Sequence, residues 1–213
     1  LKKEFRSIFK SRYPAGKIIQ LDYTSLEPRI MMSLAGNNKE DDVYDYVAKE
    51  SGINLTRAKL KIATMGALYG ISAVKLQSMI SRDTDASIAL DKIKKIFKIN
   101  ELANLLTREY NNNHKIVNPY GRPLTFTKCD SHLLVSHYIQ STGVDVCLEG
   151  FGKIMDTIIE HNLKISPIYI IHDALILDVA PEEYDKISNL TEAGSKIDKF
   201  NTNFPMTVSN VFE

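Results

Sequence analysis

The stretch PIYIIHDALIL, residues 167–177, consists of two apolar runs separated by the polar pair His172-Asp173. Short, Ile-rich runs of this kind predict two buried strands that join at the polar pair. A third run, residues 17–21, predicts another short strand, and it too is followed by an acid, Asp22. Strands are therefore predicted near both ends of the chain, each with an aspartate close to its end.

The segment between these strands is dominated by helical patterns. Thr24 and Glu27 fit a T-x-x-E capping box, which predicts a helix that ends near Gly36. Cap residues and apolar spacing predict further helices over residues 3–11, 41–52, 54–69, 130–160 and 182–198, and two or three helices within 72–112. The helix at 41–52 is expected to be capped by Asp41 or Asp42 and to end at Gly52. A hairpin at 115–126 and a last strand at 205–212 complete the pattern. It indicates an α+β fold with a helical insertion, because strands and helices do not alternate regularly.

The composition is that of an ordinary globular chain of 213 residues, with 44% hydrophobic and 25% charged residues. It excludes collagen-like and disordered classes of protein. No apolar run is long enough for a transmembrane helix or a signal peptide, so we expect an intracellular protein without membrane contact. Cys129 and Cys147 lack zinc-site spacing and are expected to be reduced core thiols. The first residue is not Met, which leaves open that the chain is a fragment of a longer protein.

The net charge of +1 says little about partners, but the first seventeen residues are strongly basic. They set six cations against the single acid Glu4: Lys2, Lys3, Arg6, Lys10, Arg12 and Lys17. Such an arm favours a polyanionic partner. A solvated helix face is the alternative on charge alone.

Asp22 and Asp173 each follow an apolar strand run, where the main chain would hold a carboxylate rigidly at the sheet edge. Two such acids that meet in space repel each other unless a cation lies between them. Carboxylate oxygens suit Mg²⁺, which keeps several waters and takes the rest of its shell from substrate phosphates. Two ions about 4 Å apart can clamp the attacking and leaving oxygens of a phosphoryl transfer. On spacing alone, however, these aspartates could be turn formers or helix caps, and His172 could be a packed or solvated side chain.

One face of the predicted helix at 54–69 combines two cations with an apolar and an aromatic side chain: Arg57, Lys61, Met65 and Tyr69. They share that face because each step of four residues drifts only about 40° around an α-helix. Two cations one turn apart can grip a triphosphate, and the other two side chains offer a surface to a sugar or base. A surface stripe whose lower half belongs to the core is the alternative.

Five segments, in order, resemble the motifs of family A (polymerase I-like) DNA polymerases. They are DYTSLEPR at 22–29 (motif A, D-Y-S-Q-I-E-L-R), the R-x3-K-x7-Y-G pattern from Arg57 (motif B), GRPL at 121–124 (G-R-R-L), QSTGVD at 140–145 (Q-G-T-A-A-D) and IHD at 171–173 (motif C, V-H-D-E). Because five ordered motifs are highly specific, the chain is identified as a divergent member of that family.

The resemblance implies a two-metal active site. Asp22 and Asp173, with the main-chain carbonyl of Tyr23, would bind two Mg²⁺ ions, with Mn²⁺ as an alternative ion. Arg57 and Lys61 would bind the phosphates of the incoming nucleotide, with Lys61 close to the leaving group as its general acid.

Further roles follow from the same resemblance. Tyr69 and Met65 would lie beside the nucleotide, and Glu27 would crowd the sugar C2′ position and exclude ribonucleotides. The residues expected at the DNA are Gln140, His172, Arg122 and Arg29, the last as a support for motif A. Four departures weaken these expectations: Ala174 for Glu, Met65 for an aromatic residue, Ser136 for Asn and His132 for Arg.

The resemblance also implies an architecture. Residues 1–36 and 114–213 would form the palm, an antiparallel sheet backed by helices, and residues 37–113 the helical fingers. No segment corresponds to a thumb or a 3′–5′ exonuclease domain. Either the chain is a fragment or those parts lie in another polypeptide. Such a polypeptide, or a processivity factor, is an expected partner beside primer-template DNA and dNTP. The expected location is the cytoplasm or nucleoid, or the host cytoplasm for a viral protein, with an organelle still open.

The function expected from these residues is template-directed DNA synthesis by two-metal-ion nucleotidyl transfer. A single-subunit RNA polymerase relative is a second interpretation, against which Glu27 in motif A argues. A third is a catalytically weak or inactive polymerase-like subunit that binds primed DNA or a replication partner. Ala174 and the missing thumb keep the third interpretation open.

Overall fold

The structure is a computed structural model that describes residues 9–37, 42–80, 82–126, 130–200 and 202–210. Most of the helix predicted at 3–11, half of the basic arm (Lys2, Lys3 and Arg6), and Cys129 lie outside these residues. The chain forms two compact units. We call the unit made of residues 1–26 and 144–213 the sheet unit, and the unit made of residues 27–143 the helical unit.

The strands are β1 (Lys17–Tyr23), β2 (Lys115–Val117), β3 (Pro123–Thr125), β4 (Ile165–Ile171), β5 (Ala174–Val179), β6 (Lys196–Ile197), β7 (Thr202–Asn203) and β8 (Met206–Asn210). The helices are α1 (Leu26–Leu34), α2 (Val43–Ser51), α3 (Arg57–Leu68), α4 (Ala73–Gln77), α5 (Ala86–Ile96), α6 (Ile99–Asn113), α7 (Ser131–Glu160) and α8 (Ile187–Ser195). Among the described residues, none of these helices is long and apolar enough to span a membrane.

The sheet unit is built on a four-stranded antiparallel sheet with strand order β4-β5-β1-β8. Every residue of β5 is buried, which explains why its sequence is an apolar run rather than an alternating one. Strands β4 and β5 are joined by a two-residue turn at His172-Asp173, as the sequence predicted. His172 has a φ of 53°, the left-handed conformation that tight two-residue hairpins use.

The helical unit packs around one apolar core to which helices α1, α2, α3, α5, α6 and α7 contribute, with representative buried members Met31, Val47, Leu60, Ile93, Leu106 and Ile139. The predicted cap of α2 is confirmed, because the Asp42 carboxylate accepts hydrogen bonds from the N–H groups of Tyr44 and Asp45. Gly52 ends that helix with a φ of 62°. Strands β2 and β3 form the predicted hairpin.

Three predicted element boundaries shift. Helix α1 begins at Leu26, because Ser25 has a φ of 55° and breaks the turn next to Thr24. Helix α3 begins at Arg57, since Thr56 before it is extended. The helix predicted at 182–198 starts as a 3₁₀ turn, Pro181–Lys186, continues as α8 and ends where β6 pairs with β7.

The predicted α+β fold with antiparallel sheet and helical insertion is confirmed. The two compact units divide the chain after Leu26 and after Gly143. The palm and fingers boundaries after residues 36 and 113 stay a prediction.

Candidate active site

The register of β1 against β5 brings Asp22 and Asp173 to one end of the same strand pair. Asp22 lies opposite Ala174, the residue that follows Asp173. The next residue on β1, Tyr23, donates its main-chain N–H to the Asp173 carbonyl at 3.2 Å. Since opposite residues in an antiparallel pair have Cα atoms about 4.5–5.5 Å apart, the register brings the main chains of Asp22 and Asp173 to neighbouring positions on the two strands.

Cys147, on α7, lies within the electrostatic reach of both aspartates. Its thiol is buried, and burial together with the charges of Asp173 and Asp22 raises the pKa of Cys147 to about 12. Both carboxylates therefore act on one point of the helix, and the thiol stays protonated at neutral pH. The sequence predicted a reduced core thiol here, which the buried free Cys147 confirms, but no sequence signal placed it beside the acids.

The chemistry of this pair fits a hard divalent cation. Asp22 and Asp173 are both half-buried, so water and a ligand can complete a coordination shell around their oxygens. Over the described residues there is no group of three or more His, Cys, Asp and Glu side chains arranged to hold a metal. Mg²⁺ does not need such a cage, because one or two carboxylates and substrate phosphates suffice.

Tyr23 anchors β1 through its side chain. The ring stacks on Phe151 with centroids 5.7 Å apart, and its hydroxyl donates to the Gly194 carbonyl at 2.7 Å. Burial, with smaller contributions from Cys147 and Glu149, raises the pKa of Tyr23 above its usual range. Because the ring is buried, the side chain of Tyr23 is not open to a ligand, and a metal contact by its main-chain carbonyl stays a prediction from motif A.

The cation stripe lies along α3 and belongs to the helical unit. Arg57 and Lys61 are exposed, whereas Met65 is half-buried and packs against the core of that unit. Tyr69, at the C-cap of the helix, is 37% exposed. The side chains of the two cations are therefore accessible to a ligand. Of the four residues in the stripe, Met65 is the one that packs against the core.

Arg57 has an acidic partner that the sequence analysis did not identify. Its Nη1 and Nη2 atoms donate to the two carboxylate oxygens of Asp42 at 2.5 and 2.7 Å. This bond is the main reason why the pKa of Asp42 is lowered and that of Arg57 raised. The sequence does not predict this ion pair, because fifteen residues separate the partners and several other acids lie at similar distances along the chain.

Glu27 and Tyr69 form a second contact inside the helical unit. The Tyr69 hydroxyl donates a hydrogen bond to the Glu27 carboxylate, which is half-buried at the start of α1. The bond joins the segment that resembles motif A to the end of the segment that resembles motif B. Sequence reasoning gave both residues a place at the nucleotide and missed that they bind each other.

Comparison with known proteins decides the family. The model of DNA polymerase family A matches residues 1–211. The chain belongs to DNA polymerase family A. The prediction from the five motifs is thereby confirmed.

A solved structure supports the fold of this family A chain. It is the POL domain of Pol1 from M. smegmatis, in complex with DNA primer-template and dNTP, with a TM-score of 0.80 at 17% sequence identity. The match covers 97% of this chain and 41% of that one, so this chain spans about two fifths of that relative.

The remaining predicted residues of this family A chain fall into two groups. Arg122, on the β2–β3 hairpin, is exposed, as are Gln140 on α7 and His172 at the β4–β5 turn. Arg29 is only 7% exposed, and burial lowers its pKa while the charge of Asp42 opposes that shift. Arg29 is thus largely buried within the helical unit, and its expected role as a support for motif A at the DNA stays a prediction. The side chain of His132 lies outside the described part of the chain, and Ser136 is buried.

Proposed function

We propose that this chain carries out template-directed DNA synthesis, with transfer of a nucleotidyl group from dNTP to a primer 3′-hydroxyl. The observation that carries the proposal is the β1–β5 register, which sets Asp22 beside Asp173 in a chain of DNA polymerase family A. In the transfer, the primer oxygen forms a bond to the α-phosphorus as the bond to pyrophosphate breaks.

Asp22 and Asp173, with the Tyr23 carbonyl, would hold two Mg²⁺ ions. When bound, such ions lower the pKa of the attacking hydroxyl and neutralise charge on the leaving pyrophosphate. The carboxylates are suited to this because the strand pair fixes their main chain before substrate arrives.

The exposed cations of α3 would act on the triphosphate. Arg57 can present a guanidinium fork to phosphate oxygens, and Lys61 a point charge that also donates a proton to pyrophosphate as it leaves. Glu27, tied to Tyr69, would stand against the sugar and exclude a 2′-hydroxyl, and Met65 would flank the nucleotide.

Primer-template DNA is the proposed partner. The exposed side chains of Arg122, Gln140 and His172 are its proposed contacts, and the described part of the basic arm, Lys10 to Lys17, adds phosphate contacts. We also propose that residues 1–36 and 114–213 act as palm and residues 37–113 as fingers. A processivity factor, or a separate polypeptide with thumb and exonuclease parts, is a further proposed partner.

The deciding experiment is primer extension with Mg²⁺ by the native chain, Asp22→Asn and Asp173→Asn. Loss of either carboxylate should slow incorporation by about 10²–10³-fold, the scale of removing one preorganised charge-stabilising group. Asp156→Asn, an exposed aspartate on α7, is the matched control and should extend primers at the native rate. Unchanged extension by Asp173→Asn would overturn the mechanism.

A native chain that binds primed DNA but extends it no faster than Asp173→Asn would indicate a subunit without activity instead. This second candidate is favoured by Ala174, which stands where the family motif has a glutamate. Fluorescence anisotropy with labelled primed DNA measures the binding separately from the extension.

A further inference from the structure

The Arg57 guanidinium, a proposed phosphate ligand, is surrounded by groups of α2. It binds both carboxylate oxygens of Asp42. Asp45 Oδ1 lies 3.7 Å from Arg57 Nη1, and the guanidinium lies 5.2 Å from the centroid of the Tyr44 ring. Two acids thus lie against this guanidinium and offset the positive charge that it presents to an anion.

Asp42 is itself held in place by the main chain. Its Oδ1 accepts from the N–H groups of Tyr44 at 2.9 Å and Asp45 at 3.1 Å, as the N-cap of α2. These bonds and Arg57 favour the ionised carboxylate, so the pKa of Asp42 lies below its usual value. A permanently charged carboxylate therefore stands at a fixed point next to the cation stripe.

A carboxylate and a phosphate present similar oxygen pairs to a guanidinium. Asp42 occupies the edge formed by Nη1 and Nη2, so a phosphate that binds this edge has to displace it. The exchange is open to solvent, because the side chains of Arg57 and Asp42 are 54% and 30% exposed.

We propose that Asp42 is a positioning residue that competes with the nucleotide for Arg57. It holds the guanidinium on α2 when no nucleotide is present and yields it to a triphosphate, which carries more charge than one carboxylate. Asp42 thereby weakens binding of every anion at Arg57. This inference rests on the proposed function only for the identity of the anion.

The first test is nucleotide kinetics of Asp42→Asn. Asparagine caps a helix as well as aspartate does, so α2 keeps its cap while the charge is lost and an amide donor faces the guanidinium. We expect KM for dNTP to fall about 1.5- to 5-fold, the scale of releasing a surface ion pair, with kcat changed less than about twofold. An unchanged or higher KM would overturn the inference.

A matched control is available on α5. Asp85 caps that helix through the same two bonds, to the N–H groups of Ser87 at 2.8 Å and Ile88 at 3.1 Å. Asp85→Asn should leave KM unchanged. An equal fall in KM for this variant would show that general loss of negative charge, not release of Arg57, is the cause.

The second test does not depend on polymerase activity. Isothermal titration of the full chain with inorganic tripolyphosphate should show tighter binding by Asp42→Asn, and the gain should vanish in the double variant with Arg57→Ala. A gain that persists without Arg57 contradicts the inference. If the native chain extends no primer but the Arg57-dependent gain is present, the proposed function fails and the inference stands.

Asp42→Asn also removes a charge that acts on Arg29, which could destabilise the helical unit. Asp45→Asn is the second variant, which tests the inference if Asp42→Asn does not fold. The Asp45 side chain is highly exposed, and the carboxylate that caps α2 is that of Asp42. Replacing the Asp45 carboxylate therefore leaves the cap of the helix intact. It should tighten tripolyphosphate binding in the same direction by a smaller factor. No gain from a folded Asp45→Asn variant, together with an unfolded Asp42→Asn variant, would count against competition.

Discussion

The sheet unit and the helical unit hold their charged side chains in different ways. In the sheet unit, strand pairing sets Asp22 opposite Ala174, so the acids are placed by the main chain itself. In the helical unit, an ion pair with Asp42, the N-cap residue of α2, positions the Arg57 side chain. A strand register resists displacement by a ligand, whereas an exposed ion pair exchanges partners at little cost. The acids are therefore suited to a fixed metal site and the cations to a ligand that comes and goes.

The strongest test of the helical unit is Lys61→Ala. If Lys61 stabilises the leaving group, its loss should cost about 2–4 kcal/mol of transition-state stabilisation and appear as slower incorporation. Single-turnover incorporation with Mg²⁺ measures this directly. Lys59→Ala, two residues earlier and so on another face of α3, is the control. Equal rates for Lys61→Ala and the native chain would make the stripe merely structural.

The sheet unit can be tested through two glycines of α7. A Cβ on Gly150 would lie 1.7 Å from the Tyr23 hydroxyl oxygen and 2.5 Å from the Gly194 carbonyl oxygen, whereas a Cβ on Gly152 would meet nothing within 4 Å. Gly150→Ala should lower the free energy of unfolding by about 1–3 kcal/mol through overpacking. Gly152→Ala should raise it by up to about 1 kcal/mol, because alanine favours the helix.

Urea denaturation of both glycine variants gives these free energies. Gly150→Ala should also slow primer extension, since it displaces Tyr23, the neighbour of Asp22. Two variants of equal stability would show that Tyr23 does not anchor β1.

Sugar selection tests the bond between Glu27 and Tyr69. Glu27→Ala should admit ribonucleotides, with a loss of discrimination of about 1–3 kcal/mol, as for a cavity opened beside a substrate. Tyr69→Phe keeps the ring but removes the hydroxyl that Glu27 accepts from, so its effect should be intermediate. The ratio of ribonucleotide to deoxyribonucleotide incorporation is the readout.

Two results would contradict this expectation. Equal use of both sugars by the native chain would favour the RNA polymerase interpretation. A lower stability of Glu27→Ala with unaltered sugar choice would favour a purely structural role at the start of α1.

The smallest expected effect concerns Cys147. Its pKa is raised to about 12 in the folded chain, so the unfolded chain loses the thiol proton first as pH rises. Stability should therefore be intact below the unfolded pKa and fall by about 1–2 kcal/mol between pH 8 and 10. Denaturation in EDTA should show this loss in the native chain and a smaller one in Cys147→Ala. Parallel pH profiles would show that folding does not raise the pKa of Cys147.

Local sequence patterns predicted much of the fold because they act over a few residues. The Asp42 cap, the Gly52 stop and the two-residue turn at His172-Asp173 each depend on neighbours within one helical turn or hairpin. Element ends were less predictable. Ser25 adopts a left-handed conformation that its side chain does not require, and this moved the start of α1.

By itself, the sequence determined the α+β class, the family and the residue types available for chemistry, since apolar runs, caps and ordered motifs are written along the chain. Only the tertiary structure decided which of those residues meet. Asp22 reaches Ala174 through a strand register, Tyr69 reaches Glu27 across 42 residues, and Arg57 reaches Asp42 across 15. Such partners are selected by the packing of whole elements, in which many acids compete for each cation, and no local preference in the chain records the outcome.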